Sequence, residues 1–448
     1  MKKRIVLWCS PGFGMIDTWL PIIKMLNENK VDVIFIFPEP SSLKLIDRSS
    51  ELFCIASKYC FKVIQRGYSN RWFVSKNLES TDRVFKFSNL ELIINNLSIR
   101  FRKGLFSKFF FHIYFSKILK SIALRVSIFR ENLLGLKIID LNSIVDDISA
   151  ILTDIELVDK KTNYELTTVF KNIKKFSMNH GLMSPSHFLR SSMPKYNSYY
   201  ENVEYFVNSD KVKKLYLAKG FHDENIHLIG FPRHDTNWVK FLNDNFLNRK
   251  EEFNDFVLII SRPSGTLIPK KRKVDAITNI KKVIIDNLGL GVMVKLHPKE
   301  SDNSHNRQMY FQIFGSENYG KTWIFTNSHP IYLAKKCKFA ISFFSGVVLD
   351  MIAQGKPTIE YLDLNNLKQY DNPDSFRDRD GSPILEYRKD KLVFGCNSYL
   401  DLLKTSEKII NNYDEVVAFF KNRYEEVFVV KDNSSSVILK KLLNYHKS

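Results

Sequence analysis

Apolar residues follow two alternating patterns along most of the chain. Short continuous runs of β-branched and aromatic residues, such as Val31–Phe37, are typical of strands buried on both faces of a parallel sheet. Between these runs, apolar residues recur at three- or four-residue spacing, which predicts helices. The first series of predicted elements comprises Arg4–Cys9, Thr18–Asn29, Val31–Phe37, Ala150–Thr153, Tyr164–Lys175, Phe176–Met178, Tyr205–Asn208, Lys211–Lys219 and Ile226–Phe231.

A second series begins after a charged, Asn-rich stretch, Trp238–Asp255, which we interpret as the connection between two domains. The C-terminal pattern is mostly helical, and Asp432-Asn433-Ser434 predicts an N-cap for a helix over Ser435–Tyr445. The second series comprises Phe256–Ser261, Ile277–Asn287, Gly291–Leu296, Trp323–Thr326, Pro330–Lys336, Phe339–Phe343, Gly346–Gln354 and Thr358–Tyr361.

Two such series predict an α/β protein of two Rossmann-like, doubly wound domains that face a central cleft. A chain of 448 residues is also too long for one ordinary core. The predicted limits are 1–248 for the first domain and 249–431 for the second. A C-terminal helix within 432–448 is expected to cross back to the first domain.

The segment 70–140 departs from this alternation and predicts a helical insertion. Between Leu92 and Arg130 it carries eight basic and no acidic residues, interleaved with aromatic ones. A basic aromatic helix of this kind can lie in an anionic lipid interface. Alternatively, the insertion packs its Phe side chains against its own domain while Lys and Arg stay solvated. The pattern leaves both interpretations open.

Charge and cysteine usage narrow the classes of partner. Lys and Arg total 67 against 48 Asp and Glu, a formal charge of +19, which favours phosphorylated ligands or an acidic membrane surface. Nucleic acid is not expected, because no recognisable binding module accompanies the charge. Five cysteines without a CxxC pair predict neither a disulfide framework nor a zinc site, which fits a reducing cytosol.

Hydropathy indicates where the protein acts. The apolar run Ile5–Cys9 is too short for a signal peptide, and no stretch of 18 uncharged apolar residues exists. We therefore expect a cytoplasmic protein that binds peripherally at the inner face of the cytoplasmic membrane.

The run Val294–Pro298 (VKLHP) is a predicted strand that ends in His-Pro. Pro298 restricts the backbone, so the His297 imidazole is expected to project from a rigid strand end and to donate to a phosphate oxygen. Lys295 would add positive charge. His-Pro also follows strands that have no binding role, so the motif needs a second one beside it.

Another predicted strand ends at Ser342 and leads through two Phe residues to Ser345 and Gly346, before a helix. Ser345 and Gly346 can present a hydroxyl group and backbone amides to a phosphate at the helix N-terminus. The alternative is ordinary N-capping by Ser345 without a ligand. With VKLHP, this segment predicts a nucleotide-phosphate pocket at the carboxyl edge of the second sheet.

Catalytic candidates come from the first domain. His180 follows a predicted strand, and Gly181 allows the sharp turn that would leave the imidazole at the edge of the cleft. Such a histidine could remove a proton from an acceptor hydroxyl group. Asp154 and Glu156 follow another strand and could orient this base or act as the base. The structural alternatives are a turn histidine and two surface acids.

Two arginines and a glycine turn complete the candidates. Arg233 and Arg262 follow strands and are predicted to contact the donor phosphate. The turn Ser10–Gly14 lacks the third glycine of a dinucleotide fingerprint, so no NAD site is expected. Gly12 and Gly14 are assigned instead to an acceptor-binding loop.

Four segments occur in an order that resembles the GT-B glycosyltransferases of bacterial capsule and teichoic-acid synthesis. These include TagF-like CDP-glycerol glycerophosphotransferases, His-Pro-motif sialyl and Kdo transferases, and surface carbohydrate biosynthesis proteins. The chain departs from the glycerophosphotransferase pattern at Asn179, His234 and Gly346, which leaves the donor open. The matching segments are Asn179-His180-Gly181, Gly230-Phe231-Pro232-Arg233-His234-Asp235, Lys295-Leu296-His297-Pro298, and Ser342–Asp350 with Gly355-Lys356-Pro357.

The resemblance implies a GT-B glycosyltransferase with His297 and Ser345 on the donor phosphate and His180 as the base. It would move a sugar from a CMP- or other nucleotide-activated donor to a cell-surface polysaccharide or lipid-linked glycan, without a metal or other cofactor. Other polysaccharide assembly proteins are expected partners. The alternatives are a teichoic-acid-type polyol-phosphate transferase, a UDP-sugar 2-epimerase-like enzyme, and a non-catalytic subunit that binds membranes or polyanions.

Overall fold

The computed structural model describes most of the chain, which forms two compact units. The first contains the described residues of Met1–Ile46, Cys54–Ser177 and Leu439–Ser448, and the second those of Asp47–Phe53 and Met178–Ile438. The domain limits that the sequence predicts, 1–248 and 249–431, differ from the limits of these two units, and they stay a prediction. The described residues are 3–9, 13–38, 51–67, 69–75, 78, 112–133, 137–154, 164–179, 201–246, 255–265, 268–297, 300, 304–362, 385–429 and 433–447.

The strands of the first unit lie side by side in the order β5-β4-β3-β2-β1-β6-β7. Neighbours from β3 to β7 are parallel where their pairing is described, whereas β4 pairs antiparallel with both β3 and β5. The strands are β1 (Arg4–Trp8), β2 (Val33–Phe37), β3 (Cys60–Arg66), β4 (Trp72–Ser75), β5 (Lys137–Ile139), β6 (Ile148–Thr153) and β7 (Lys174–Met178). The helices are α1 (Phe13–Glu28), α2 (Glu51–Tyr59), α3 (His112–Leu133), α4 (Tyr164–Thr167) and a 3₁₀ turn, Leu141–Asp147.

The core of the first unit is built around Trp8, which is fully buried in β1. The Trp8 ring contacts those of Trp72 and Phe170, with centroids 5.9 Å apart in both pairs. Trp19 of α1 donates its indole N–H to the Thr153 carbonyl oxygen at 3.3 Å, which ties the helix to the end of β6. Nearly all residues of β1 and β2 are buried, which explains why the sequence shows these strands as continuous apolar runs.

The second unit contains a six-stranded sheet in the order β12-β11-β10-β13-β14-β15, in which every pair of neighbours is parallel. A further parallel pair is formed by β8 (Val203–Val207) and β9 (Ile226–Leu228). The six strands are β10 (Phe256–Ile260), β11 (Gly291–Lys295), β12 (Trp323–Phe325), β13 (Ala340–Ser342), β14 (Thr358–Tyr361) and β15 (Phe394–Cys396).

Helices connect these strands, as parallel pairing requires. The helix α7 continues directly into a π-helical stretch, Lys281–Asn287. Short 3₁₀ turns lie at Asp223–Asn225, Pro232–His234 and Ser316–Asn318. The helices are α5 (Asp210–Ala218), α6 (Thr236–Phe246), α7 (Lys270–Ile280), α8 (Ser304–Phe314), α9 (Pro330–Lys336), α10 (Val348–Ala353), α11 (Glu386–Lys389), α12 (Tyr399–Asn411), α13 (Tyr413–Val427) and α14 (Ser434–Lys447).

Some observed elements differ in extent from the predicted ones. The stretch Trp238–Asp255, which we interpret as a connection between domains, begins within α6, and this helix buries Trp238 and Leu242, four residues apart. The charged and Asn residues around them hid this helical spacing. The helix predicted over Tyr164–Lys175 ends at Thr167, and Lys174 and Lys175 already belong to β7.

The C-terminal helix α14 has its last turns in the first unit, where they pack on two strands. The Tyr445 ring meets the Phe176 ring edge to face, with centroids 5.4 Å apart. The Nδ1 atom of His446 lies 2.9 Å from the hydroxyl oxygen of Ser149. These contacts give the last turns of the chain defined partners on β6 and β7.

Gly230, just after β9, offers a test of the packing in the second unit. Its φ is +97°, and a Cβ there would lie 2.4 Å from the Val429 carbonyl oxygen, whereas Gly320 has a φ of +81° and nothing within 4 Å. We expect Gly230→Ala to lower the free energy of unfolding by about 2 kcal/mol more than Gly320→Ala, because both variants strain a left-handed backbone but only the first displaces neighbouring backbone. Urea denaturation of the two variants measures this difference, and equal losses would contradict the packing described.

Candidate functional site

Four neighbouring strands of the second sheet pair in register, so that one residue from each lies in a single row across the sheet. This row consists of Lys295, Ile260, Ser342 and Glu360. Because the strands are parallel, the residues that follow the row in each strand lie at one carboxyl edge, where open α/β sheets bind ligands.

The candidate residues His297 and Arg262 each lie two positions beyond this row, as does Phe344. Ser345 and Gly346 follow Phe344 directly. The Arg262 guanidinium donates from Nη1 to the Phe344 carbonyl oxygen at 2.8 Å, so the ends of β10 and β13 are in direct contact. The structure therefore places these predicted residues at one edge of the sheet, while their role in binding stays a prediction.

Phe344 adopts an unusual backbone conformation at this edge. Its φ is +62°, in the left-handed region that a bulky side chain occupies at a cost of roughly 1–3 kcal/mol. Arg262 makes two contacts with this residue: its guanidinium donates to the Phe344 carbonyl oxygen, and it lies 5.5 Å from the centroid of the Phe344 ring. Burial lowers the pKa of Arg262, while the nearby Glu360 and Tyr387 oppose this shift. Strain of this kind concentrates at functional sites.

The Ser345-Gly346 turn shows the local capping that the sequence left open. The Ser345 hydroxyl oxygen accepts from the Val347 backbone N–H at 3.4 Å, and its carbonyl oxygen accepts from the Val348 N–H at 3.1 Å. Both residues of the turn are half-buried. The helix that follows, α10, has only six residues. The predicted phosphate binding at this turn would therefore need the neighbouring strand ends as well as the turn.

His297 is held through its backbone by Glu300. The His297 N–H donates to the Glu300 carboxylate at 3.1 Å, and the Glu300 N–H donates to the His297 carbonyl oxygen at 2.7 Å. The other carboxylate oxygen of Glu300 pairs with Lys273 of α7, and both side chains are 0% exposed. Burial lowers the pKa of Lys273, while Glu300 opposes this shift.

Sequence reasoning missed Lys273 and Glu300. A signal for Lys273 was present, because it shares the spacing of Ile277, Ile280 and Ile284 on the buried stripe of its helix. A basic residue on an apolar stripe needs a buried partner. Nothing in the local sequence identified Glu300 as that partner, because the two residues are 27 positions apart.

Lys295, at the end of β11, donates from Nζ to the Ser328 carbonyl oxygen at 2.9 Å and to that of Asn327 at 3.4 Å. These bonds connect β11 to the segment after β12. Carbonyl groups are dipoles without net charge, so they orient the ammonium group and leave its formal charge in place. The predicted contribution of Lys295 to positive potential at this edge stays a prediction.

On the other side of the row, Glu360 is 0% exposed and accepts from Nε of Arg388 at 2.9 Å. Burial raises the pKa of Glu360 to about 7, against the opposing effect of the Arg388 charge. Its in-register neighbour Ser342 is also fully buried, within the sheet itself.

The segment Gly230–Asp235, predicted to contribute Arg233 to phosphate binding, is the centre of a buried cluster. Arg233 pairs with Asp350 of α10, whose side chain is 0% exposed. His234 lies 2.8 Å from the second Asp350 oxygen through Nε2, and its Nδ1 is 2.5 Å from the Tyr424 hydroxyl. Burial raises the pKa of Tyr424 well above its usual value. The Arg233 guanidinium is thus held against a carboxylate.

Asp235, the last residue of the same segment, caps α14. Its carboxylate accepts from the backbone N–H of Ser434 at 3.2 Å and from that of Ser435 at 2.7 Å. Burial raises the pKa of Asp235, while these hydrogen bonds oppose the shift. The sequence predicted a cap from the residues just before the helix; these two amides instead take their acceptor from a segment about 200 positions earlier.

Two further candidates, Asp154 and Gly14, belong to the first unit. Asp154 follows β6 and is fully buried. Gly14 is the second residue of α1. The residues His180, Glu156, Pro298 and Gly12 lie outside the described part of the chain, and their predicted roles stay predictions.

The described residues contain no group of three or more His, Cys, Asp or Glu side chains that could hold a metal ion. None of the helices among them is long and apolar enough to cross a membrane.

Comparison with known proteins identifies the fold. No family model and no curated protein matches the sequence. Among solved structures, the chain resembles Staphylococcus aureus MnaA with UDP (12% identity, 100% of this chain and 98% of that chain, TM-score 0.54). It also resembles UDP-GlcNAc 2-epimerase from Neisseria meningitidis bound to UDP-GlcNAc (14%, 99% and 100%, 0.51) and the wall teichoic acid polymerase TagF (13%, 100% and 90%, 0.54). The predicted GT-B fold of two Rossmann-like domains is therefore confirmed.

Glu360 generates a testable pH dependence. A carboxyl group whose pKa rises from 4.5 to about 7 on folding binds more protons in the folded chain, so it contributes less stability as the pH rises between these values. We expect the free energy of unfolding of the wild type to fall from pH 5 to pH 8 by roughly 2–3 kcal/mol more than that of Glu360→Gln. Urea denaturation at both pH values checks this, and parallel pH profiles of the two proteins would contradict it.

Proposed function

We propose that the chain is a GT-B glycosyltransferase that moves a sugar from a nucleotide-activated donor to a cell-surface polysaccharide or lipid-linked glycan. One observation carries this proposal: three adjacent parallel strands end at the same edge of the sheet, and Arg262, His297 and the Phe344–Gly346 turn follow those ends. Nucleotide phosphates bind at such edges in doubly wound sheets.

Charge at this edge supports a diphosphate- or monophosphate-bearing donor. The buried acids Glu300 and Glu360 each face a cation, Lys273 and Arg388 respectively, so their charges are balanced locally. The described bonds of Arg262 to a carbonyl oxygen leave its guanidinium charge in place. Because these acids are paired and the Arg262 guanidinium keeps its charge, the edge favours an anionic leaving group and would stabilise the negative charge that develops as the nucleotide departs.

In the proposed reaction an acceptor hydroxyl oxygen forms a bond to the anomeric carbon of the donor sugar. The bond from that carbon to the phosphate oxygen breaks, and the nucleotide leaves with the electron pair. His180 takes the acceptor proton, and Asp154 or Glu156 orients it. Because protein cations would balance the leaving phosphate, we propose that transfer needs no metal ion, so chelation by EDTA should leave the rate unchanged.

A second candidate is supported by the solved structures that the chain resembles, several of which are UDP-GlcNAc 2-epimerases. An epimerase would convert UDP-N-acetylglucosamine without any acceptor. The resemblance to TagF likewise supports transfer of a polyol phosphate in place of a sugar. Incubation with UDP-N-acetylglucosamine alone separates the first alternative, because only an epimerase forms an epimerised product.

Two histidine variants test the assignment of roles. We expect His297→Ala to weaken binding of the matching nucleotide among CMP, CDP, UDP and GDP by about tenfold, because a hydrogen bond to charged phosphate is lost. We expect His180→Ala to keep that affinity and to lower turnover by about 100-fold or more, because only proton removal is affected. Isothermal titration calorimetry and a transfer assay measure the two effects. Loss of nucleotide affinity in His180→Ala would move His180 into the donor site.

We further propose that α3 of the first unit binds the inner face of an anionic membrane, where a lipid-linked acceptor would lie. Ile118, Ile122 and Phe129 are exposed and recur at helical spacing with Arg125. The neighbouring exposed row adds Leu124, Ile128 and Lys117. Over residues 117–129 this exposed apolar face carries basic and no acidic residues, a pattern typical of helices that lie in a lipid interface.

Replacing two of these side chains tests membrane binding. We expect Ile122→Ser/Phe129→Ser to reduce co-sedimentation with phosphatidylglycerol-containing vesicles by about tenfold, because less apolar surface enters the interface. The matched control is Leu400→Ser/Phe419→Ser, which removes two exposed apolar side chains from the second unit. Equal binding by both variants would remove α3 from the membrane contact.

A further inference from the structure

The two strand ends that carry Arg262 and His297 share one buried polar network. Lys273 on α7 donates from Nζ to the Arg262 carbonyl oxygen at 2.6 Å and pairs with the Glu300 carboxylate. The second oxygen of that carboxylate accepts from the His297 N–H. One buried ion pair thus holds the backbone of both candidate phosphate-binding residues.

Two hydroxyl groups complete the network from the β10 side. Ser261 donates to the Glu300 carboxylate at 3.1 Å, and the buried Tyr310 donates to the Ser261 hydroxyl oxygen at 2.7 Å. The Ser261 N–H also donates to the Lys295 carbonyl oxygen at 2.9 Å, which closes the ladder between β10 and β11. The hydrogen bonds described around the pair therefore end on one of the two strand ends or on the helices that cover them.

A fully buried ion pair by itself contributes little to the stability of a protein. Removing two charges from water is costly, and replacing such a pair by apolar residues of similar size is often neutral or stabilising. The pair here has a different consequence: its carboxylate bridges a helix cation and a strand-end amide, so it determines where the His297 backbone lies relative to Arg262.

We propose that Lys273 and Glu300 are positioning residues, which fix the backbone of Arg262 and His297 so that both side chains meet the donor phosphate. This inference rests on the proposed function for its ligand. The positioning itself is a property of the protein without ligand, so the two can be tested separately.

Two double variants isolate the positioning role. Both Lys273→Met/Glu300→Gln and Lys273→Met/Glu300→Leu remove the two charges with side chains of similar size, but only Gln keeps an oxygen that can accept from the His297 N–H. A role in stability predicts similar behaviour of the two variants. A positioning role predicts that both variants lose the Lys273 bond to Arg262 and that only the Leu variant also releases the strand end at His297.

Hydrogen–deuterium exchange of the ligand-free protein is the first measurement, read from overlapping peptides that isolate His297. We expect its amide to exchange about tenfold faster in the Leu variant than in the Gln variant. The control is Glu204→Gln, which removes a carboxylate paired with His227 elsewhere in the second unit and should leave the exchange unchanged. Equal exchange in the Leu and Gln variants would overturn the inference.

Calorimetry with CMP, CDP, UDP and GDP is the second measurement. We expect the Leu variant to bind about tenfold more weakly than the Gln variant, and both to bind more weakly than the wild type, because both have lost the Lys273 bond to the Arg262 carbonyl oxygen. Equal affinities of the two variants would also overturn the inference. If the wild type binds none of these nucleotides, the proposed function fails, and the exchange experiment alone decides the positioning role.

If the Leu variant does not fold, Glu300→Asp takes its place. It keeps both charges but shortens the side chain by one methylene group, so one carboxylate can no longer reach the Lys273 ammonium and the His297 amide together. We expect faster exchange at His297 with a melting temperature near that of the Gln variant. Exchange at the wild-type rate in Glu300→Asp would contradict the proposal.

Discussion

Parallel pairing of β11, β10, β13 and β14 determines which side chains can act together in this protein. Backbone hydrogen bonds fix the register of these strands, and a slip by one residue would turn each side chain to the opposite face of the sheet. The apolar runs of the strands are buried on both faces, which makes such a slip costly. Motifs far apart in sequence, at 262, 297 and 344–346, therefore reach the same edge.

Buried charge is the second organising feature of the second unit. Three carboxylates with 0% exposure each face a cation, and each pair connects two segments that are distant in sequence. Breaking one partner of such a pair leaves an uncompensated charge in the interior, which is more costly than never having had the pair. These pairs therefore specify which segments meet. They are Lys273–Glu300, Arg388–Glu360 and Arg233–Asp350.

The fold and the proposed chemistry are separate levels of inference. The structural likeness to epimerases and to a teichoic-acid polymerase establishes the GT-B fold, and one fold can host several reactions. The chemistry depends on the groups at the carboxyl edge of the second sheet. There, the strained Phe344 turn held by Arg262 is a local feature that ordinary packing does not require.

The sequence by itself determined the α/β class, the alternation of elements and the strand ends that carry His297 and Ser345. Continuous apolar runs bounded by polar residues are local signals, so they can be read without knowing the partners. Its errors were also local, because charged residues hid the buried face of α6, with Trp238 and Leu242. The assignments to His180, Glu156, Pro298 and Gly12 stay predictions.

Only the tertiary structure decided the partners of the charged residues. Arg233 was predicted to face a phosphate, and the structure places it against Asp350, 117 positions away. Lys273, which sequence reasoning missed, is buried beside Glu300. The apolar stripe of its helix indicates that Lys273 needs a buried partner, but which residue pairs with it depends on the distant segments that fold around it. Tertiary packing sets that environment, and no local pattern of residues identifies the partner.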